Sequence, residues 1–152
     1  KLKERVRGIA VRSTFITGFP GESEQAFETL LRFLEEAELF NAGFFKYSKE
    51  EGTAAAKMKN QLPERVKNAR LRKLYAAQKK VVAKTLRALR GQTFDVLVEN
   101  FNGICYEGRA YFNAPDIDGK VIFTGVGDFG AGDTVRVRVT GHKDYDLFGE
   151  IN

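Results

Sequence analysis

The chain has 152 residues, 43% of them hydrophobic, with 13 Phe, 5 Tyr and no Trp. That supplies cores for one or two domains, and no apolar run approaches the roughly 20 residues of a membrane span. Its single cysteine, Cys105, cannot form an internal disulfide framework or, alone, hold an iron–sulfur cluster or a thiolate zinc site.

Cysteine usage fits a reducing, cytoplasmic compartment. The chain opens on Lys1 rather than Met, with no charged-then-apolar leader, and is expected to be a piece of a longer protein. The net charge of +5 hides a division. Residues 1–90 carry 20 Lys and Arg against 10 Asp and Glu, net +10, whereas residues 91–152 carry 5 against 10, net −5. Two units with different partners are expected from such asymmetry.

Residues 8–17 are apolar and β-branched and predict a buried strand. Gly18-Phe19-Pro20-Gly21 is a turn that cannot continue it. Ser23 is a good N-cap, with Glu22 and Glu24 near the positive end of the helix dipole. Ala26, Phe27, Leu30, Leu31, Phe33, Leu34 and Ala37 then recur at helical spacing to about Leu39. Residues 42–47 predict a second short strand, completing a βαβ unit and hence a parallel pair. A polar connector, 48–62, precedes a long helix from Pro63 to about Arg90, its buried face marked by Leu71, Leu74, Tyr75, Val81, Val82, Leu86 and Leu89. Gly91 suits the stop.

Beyond Gly91 the apolar period falls to about two. Strands are predicted at 93–99, 104–112, 120–124, 134–139 and 147–151, separated by turn signals at Asn102-Gly103, Asp118-Gly119, Gly132-Asp133 and Gly141. Five short strands in about 60 residues predict a small OB-like barrel. The boundary between the two parts is expected near 88–91.

Arg12-Ser13-Thr14-Phe15-Ile16-Thr17-Gly18-Phe19-Pro20-Gly21-Glu22 resembles a stretch of the radical S-adenosylmethionine methylthiotransferases. Phe45-Lys46-Tyr47-Ser48 with Glu51-Gly52-Thr53 resembles the next strand and loop of that family, and 91–152 resembles its terminal TRAM domain. Ala114-Pro115-Asp116-Ile117-Asp118-Gly119 and Tyr145-Asp146-Leu147 resemble the RimO branch, which acts on a ribosomal protein, rather than the tRNA-modifying MiaB branch.

The resemblance implies an α/β fragment of a TIM-like radical-SAM barrel over 1–88, followed by an all-β TRAM barrel over 89–152. It implies a parent enzyme that uses S-adenosylmethionine and two four-iron clusters to methylthiolate an aspartate β-carbon of ribosomal small-subunit protein twelve. The cluster cysteines are not in this sequence, so no catalytic or metal-binding residue is assigned, and the fragment alone is expected to be inactive. A tRNA methylthiotransferase and a non-enzymatic RNA-binding module are the alternatives.

Ligands of parallel α/β folds sit at the carboxyl ends of strands, and glycines with a helix start beside them suit close approach. With the resemblance, this assigns Arg12, Thr14, Ile16, Gly18 and Phe45 to cofactor binding. Arg12 in a structural ion pair is the plainer reading of that residue. In 57–90, 12 Lys and Arg stand against one acid, Glu64. That run suits contact with ribosomal RNA and equally suits a solvated helix face.

The acidic barrel is a poor phosphate platform and suits a basic ribosomal protein. Tyr106, Arg109, Asp116, Asp118, Tyr145 and Asp146 are assigned to substrate recognition, although the aspartates also form turns. Gly125-Val126-Gly127-Asp128-Phe129-Gly130 matches GxGxxG but lacks a following helix, and is expected to be a barrel loop. His142 is expected on a surface loop and Cys105 in a strand core. A monomer with no membrane contact is expected, exposing an unpaired sheet edge near Val11–Thr17.

Overall fold

The computed structural model describes residues 2–151, in two compact units: Ala10–Val82, and the described residues on either side of it. The elements are α1 (Leu2–Arg5), β1 (Arg12–Thr17), α2 (Glu24–Ala37), β2 (Asn41–Lys46), α3 (Ala54–Lys57), α4 (Glu64–Ala88), β3 (Thr93–Phe101), β4 (Tyr106–Ala110), β5 (Val121–Thr124), β6 (Thr134–Lys143) and β7 (Asp146–Ile151). The division between the units falls within α4.

In the first unit, β1 and β2 pair in parallel, with Phe15 opposite Phe44 and Ile16 opposite Phe45. Ser23 caps α2 as its spacing predicts, its hydroxyl accepting from the Ala26 amide at 3.1 Å. Phe27 and Leu34 of α2, Leu39, Ala42 and Phe44 of β2, and Leu74 of α4 form the core. Phe15 stacks on Phe44, ring centroids 5.8 Å apart.

Three expectations are corrected here. The first strand is six residues long rather than ten, and most of it is exposed. Among the described residues β1 has one hydrogen-bonded neighbour, and only the side carrying Phe15 and Thr17 is covered; an apolar run marks both faces of a strand alike. Tyr75, read as part of the buried face of the long helix, is about half exposed, as is Phe33 of the apolar helical series in α2. The buried stripe of α4 instead includes the polar residues Lys67, Arg70 and Gln78 beside Leu74, Val81, Val82 and Leu86. The connector also contains α3, capped by the Thr53 hydroxyl, which accepts from the Ala56 amide at 3.2 Å.

The second unit is built on a closed barrel of order β3-β4-β5-β7-β6, with β5 and β7 parallel, the other neighbours antiparallel, and β6 returning to β3. Five strands in this order close the sheet, leaving no unpaired edge along it. Alternation does the sorting. In β6, Val135, Val137 and Val139 point inward between exposed arginines, and Val96, Val98, Val121, Phe123 and Leu147 meet them.

Turn chemistry departs from expectation at three places. Gly141 is not a turn but sits at a register shift inside β6, and the reversal is made by Asp144 with φ 50°. Gly119 has ordinary φ; the left-handed residue of that loop is Asp116, φ 59°. Cys105 lies in the turn before β4 rather than in a strand, where the Asn102 side chain accepts from the Ile104 and Cys105 amides, both at 3.0 Å. His142 is half-buried within β6, its Nδ1 enclosed without a hydrogen-bond partner, not on a surface loop.

Candidate functional site

Successive side chains of a strand point to opposite faces, so Arg12, Thr14 and Ile16 share one side of β1. The parallel register sets them beside Asn41, Gly43 and Phe45 of β2. Ile16 and Phe45, adjacent in register, are 59% and 63% exposed. Two large apolar side chains on an open sheet face form a surface suited to a flat apolar ligand or a covering element. Glycine at 43 leaves the middle of this face low: an added Cβ would meet Thr14 Oγ1 at 3.6 Å.

Gly18 stands apart from the other four residues assigned to the cofactor. It is buried, with φ 79°, and a Cβ there would lie 2.6 Å from Cγ of Lys67. Its glycine is required by the stem of a lysine on α4. Phe19-Pro20-Gly21-Glu22 then forms a turn closed by the Glu22 amide donating to the Phe19 carbonyl at 2.9 Å, with Gly21 at φ 83°. Proline second and a left-handed glycine third is the type II pattern.

Sequence reasoning missed the groups that hold this turn. The Glu22 carboxylate accepts from the Thr17 hydroxyl at 3.1 Å and from the Gly18 amide at 3.0 Å. Arg70 donates to that carboxylate at 2.5 Å, to the Glu22 carbonyl at 3.0 Å, and to Glu24 at 2.9 Å. One turn earlier on α4, Lys67 donates to the Tyr47 carbonyl at 3.1 Å and to Glu64 at 2.9 Å. Lys46 also reaches Glu64, at 2.9 Å. Hydrogen bonds from Lys67 and Lys46 hold the Glu64 carboxyl down from its ordinary 4.5 to about 2. The only hint in the sequence is Glu64 itself, the single acid in a basic run.

The barrel carries a groove of about 540 Å³, lined by Arg109, Asp116 and Asp118 from the expected set together with Glu99, Asn113 and Lys120. Both cations are already engaged: Arg109 with Glu99 at 2.7 Å, and Lys120 with Glu107 at 2.6 Å. The Glu107 carboxylate holds the Lys120 ammonium above its ordinary range. Asp118 accepts from the Ala114 amide at 2.7 Å, and Asn113 bridges the Ala110 amide at 3.0 Å and the Gly119 carbonyl at 2.7 Å. The groove is therefore acidic on balance and rigidly built.

Tyr145 and Asp146 lie beside the groove rather than in it. Asp146 accepts from the Lys120 amide at 2.8 Å. Tyr106 is not at the groove surface. It is 6% exposed, donates to the Gly127 carbonyl at 2.8 Å, and stacks on Phe123. Its phenol is a core group, because β4 alternation turns it inward with Gly108 and Ala110. The GxGxxG match is the loop between β5 and β6, as its context predicts.

Comparison with known proteins follows this geometry. Residues 91–151 match the TRAM domain, and the closed five-stranded barrel is consistent with that domain. Over nearly its whole length the chain is similar to proteins named ribosomal protein uS12 methylthiotransferase RimO. That of Geobacter sulfurreducens is 47% identical over 154 residues, covering 99% of this chain and 34% of the relative. That of Desulforudis audaxviator is 47% identical over 150 residues, 99% and 33%. That of Thermodesulfovibrio yellowstonii is 39% identical over 151 residues, 99% and 36%. The chain is similar to the C-terminal region of these relatives. It spans about a third of the length of the curated relatives it matches. Among the described residues, no helix is long and apolar enough to cross a membrane.

Proposed function

We propose that the chain is the C-terminal part of a radical S-adenosylmethionine enzyme that methylthiolates an aspartate β-carbon of a ribosomal small-subunit protein. The observation that carries this reading is the 47% identity, over 99% of the chain, to relatives named for uS12 methylthiotransfer. In this reading residues 1–88 are part of the radical-SAM core and 89–152 are the TRAM domain. The parent is a monomeric cytoplasmic protein, and exposed cations of 57–90 contact ribosomal RNA.

The open face of β1 and β2 fits one edge of the cofactor site. Ile16 and Phe45 would cover the apolar ring of S-adenosylmethionine and keep water from it, while Arg12 and Thr14 offer a cation and a hydroxyl to its polar end. Gly18 supports that edge from behind. When bound at a reduced four-iron cluster, the cofactor supplies the radical chemistry that attacks an unactivated C–H bond. Cys105 is the single cysteine here, so the thiolates of both clusters would come from elsewhere in the parent.

The acidic groove supports a basic protein partner rather than RNA. Its two cations are neutralised by Glu99 and Glu107, which leaves Asp116 and Asp118 to set its sign, with Tyr145 and Asp146 alongside. Phosphates are repelled by such a surface, and lysine and arginine side chains are attracted. The test is intact-mass analysis of the ribosomal protein after incubation with the full-length protein, S-adenosylmethionine, a reductant and a sulfur source. Gain of one methylthio group on an aspartate is expected; modification of tRNA instead overturns the reading.

A further inference from the structure

We infer that Arg70, acting through Glu22, is a positioning residue for the cofactor face of β1, so that part of the basic helix serves cofactor binding and not nucleic acid. The inference rests on the reading of that face given above.

The physical case starts with burial. Arg70 and Lys67 are each 5% exposed, and charged side chains are rarely buried unless paired. Neither can meet a phosphate from outside while so enclosed. Several of their donors reach the carboxyl ends of the two strands, although the buried Arg70 Nε has no hydrogen-bond partner among the described residues. Arg70 grips the Glu22 carboxylate, which in turn holds the Thr17 hydroxyl and the Gly18 amide. Lys67 grips the Tyr47 carbonyl, one residue past the end of β2. The Tyr47 amide donates to the Thr17 carbonyl at 2.8 Å, linking the two grips.

Consequence follows from sequence adjacency. Ile16 precedes Thr17 and Phe45 precedes Lys46, so both apolar residues of the open face sit within two residues of a clamped atom. A guanidinium makes two separately directed bonds here, to Glu22 and to Glu24, and an ammonium cannot reproduce that fork. Loosening it lets the end of β1 shift. Side chains held within about half an ångström by such supporting bonds lose affinity steeply when misplaced.

The test uses the full-length protein with its clusters loaded. Equilibrium binding of S-adenosylmethionine is measured for the unsubstituted protein, Glu22→Gln, Arg70→Lys and Arg70→Met, each well below its own melting temperature. Arg32→Met, an exposed change on α2, is the control. Roughly tenfold weaker binding is expected for Glu22→Gln and Arg70→Met, with Arg70→Lys partly restored. If Arg70→Met does not fold, Glu22→Gln and Arg70→Lys decide. Unchanged affinity in folded Glu22→Gln and Arg70→Lys overturns the inference and leaves the clamp purely structural. Failure of the unsubstituted protein to bind S-adenosylmethionine overturns instead the reading of the face, and this inference with it.

Discussion

Gly119 approaches the backbone of Tyr145 so closely that a Cβ on it would stand 1.9 Å from the Tyr145 carbonyl oxygen. The contact joins the loop before β5 to the turn before β7. Two further bonds close the same seam: the Lys120 amide to Asp146 at 2.8 Å, and the Leu147 amide to the Lys120 carbonyl at 2.9 Å. The acidic groove and the Tyr145 turn are thereby one rigid surface.

Gly119→Ala is expected to destabilise the barrel by about 1–3 kcal/mol, because backbone must move to admit the methyl group. Thermal denaturation measures it. Gly108→Ala, whose Cβ would lie 2.3 Å from the Leu97 carbonyl oxygen, is expected to behave alike. An unchanged melting temperature in Gly119→Ala contradicts the seam, and one in Gly108→Ala contradicts the close approach of β4 to β3.

The two groove aspartates are expected to separate stability from binding. Asp118→Ala removes the acceptor of the Ala114 amide and costs about 1 kcal/mol. Asp116→Asn removes a charge at an exposed residue while keeping a side chain tolerant of its φ of 59°. It leaves the melting temperature unchanged but weakens binding of a basic protein. Calorimetric titration beside a melting curve distinguishes the two effects.

Acid should release the Glu64 tie. Its carboxyl is held down to about 2 in the fold against an ordinary 4.5. The stabilisation is therefore fully present above about pH 4.5 and is lost as the pH falls toward 2. Denaturation midpoints of the unsubstituted protein and Glu64→Gln should differ at about pH 6 and converge by about pH 2. A gap that persists unchanged in acid contradicts the assignment to Lys67 and Lys46.

Phe123→Ala should cost about 3–5 kcal/mol. The ring is 1% exposed and stacks on Tyr106 at 5.5 Å between centroids. Urea denaturation of the barrel reads this loss directly. A cost below about 1 kcal/mol contradicts the assigned core.

The barrel was legible in sequence because valines at 135, 137 and 139 alternate with polar residues, and because alternation alone tells inside from outside. The β1–β2 pair was legible as strands but not in its burial, since a run such as Phe15-Ile16 does not reveal which face a neighbour covers. Lys67 and Arg70 were unreadable as core residues. Nothing local marks them, and Glu22, the partner of Arg70, is 48 positions away. In the groove, Asp116 and Asp118 announce themselves by turn chemistry. Glu99, Asn113 and Lys120 join them only through the register of β3, β4 and β5, which the sequence does not state.

The most direct measurement of the central claim is binding of the full-length protein to the ribosomal small-subunit protein and to tRNA across a salt series. The account predicts affinity for the basic protein that weakens with Asp116→Asn, and little affinity for tRNA at physiological salt. Tight tRNA binding with a steep salt slope, and none to the ribosomal protein, would contradict it.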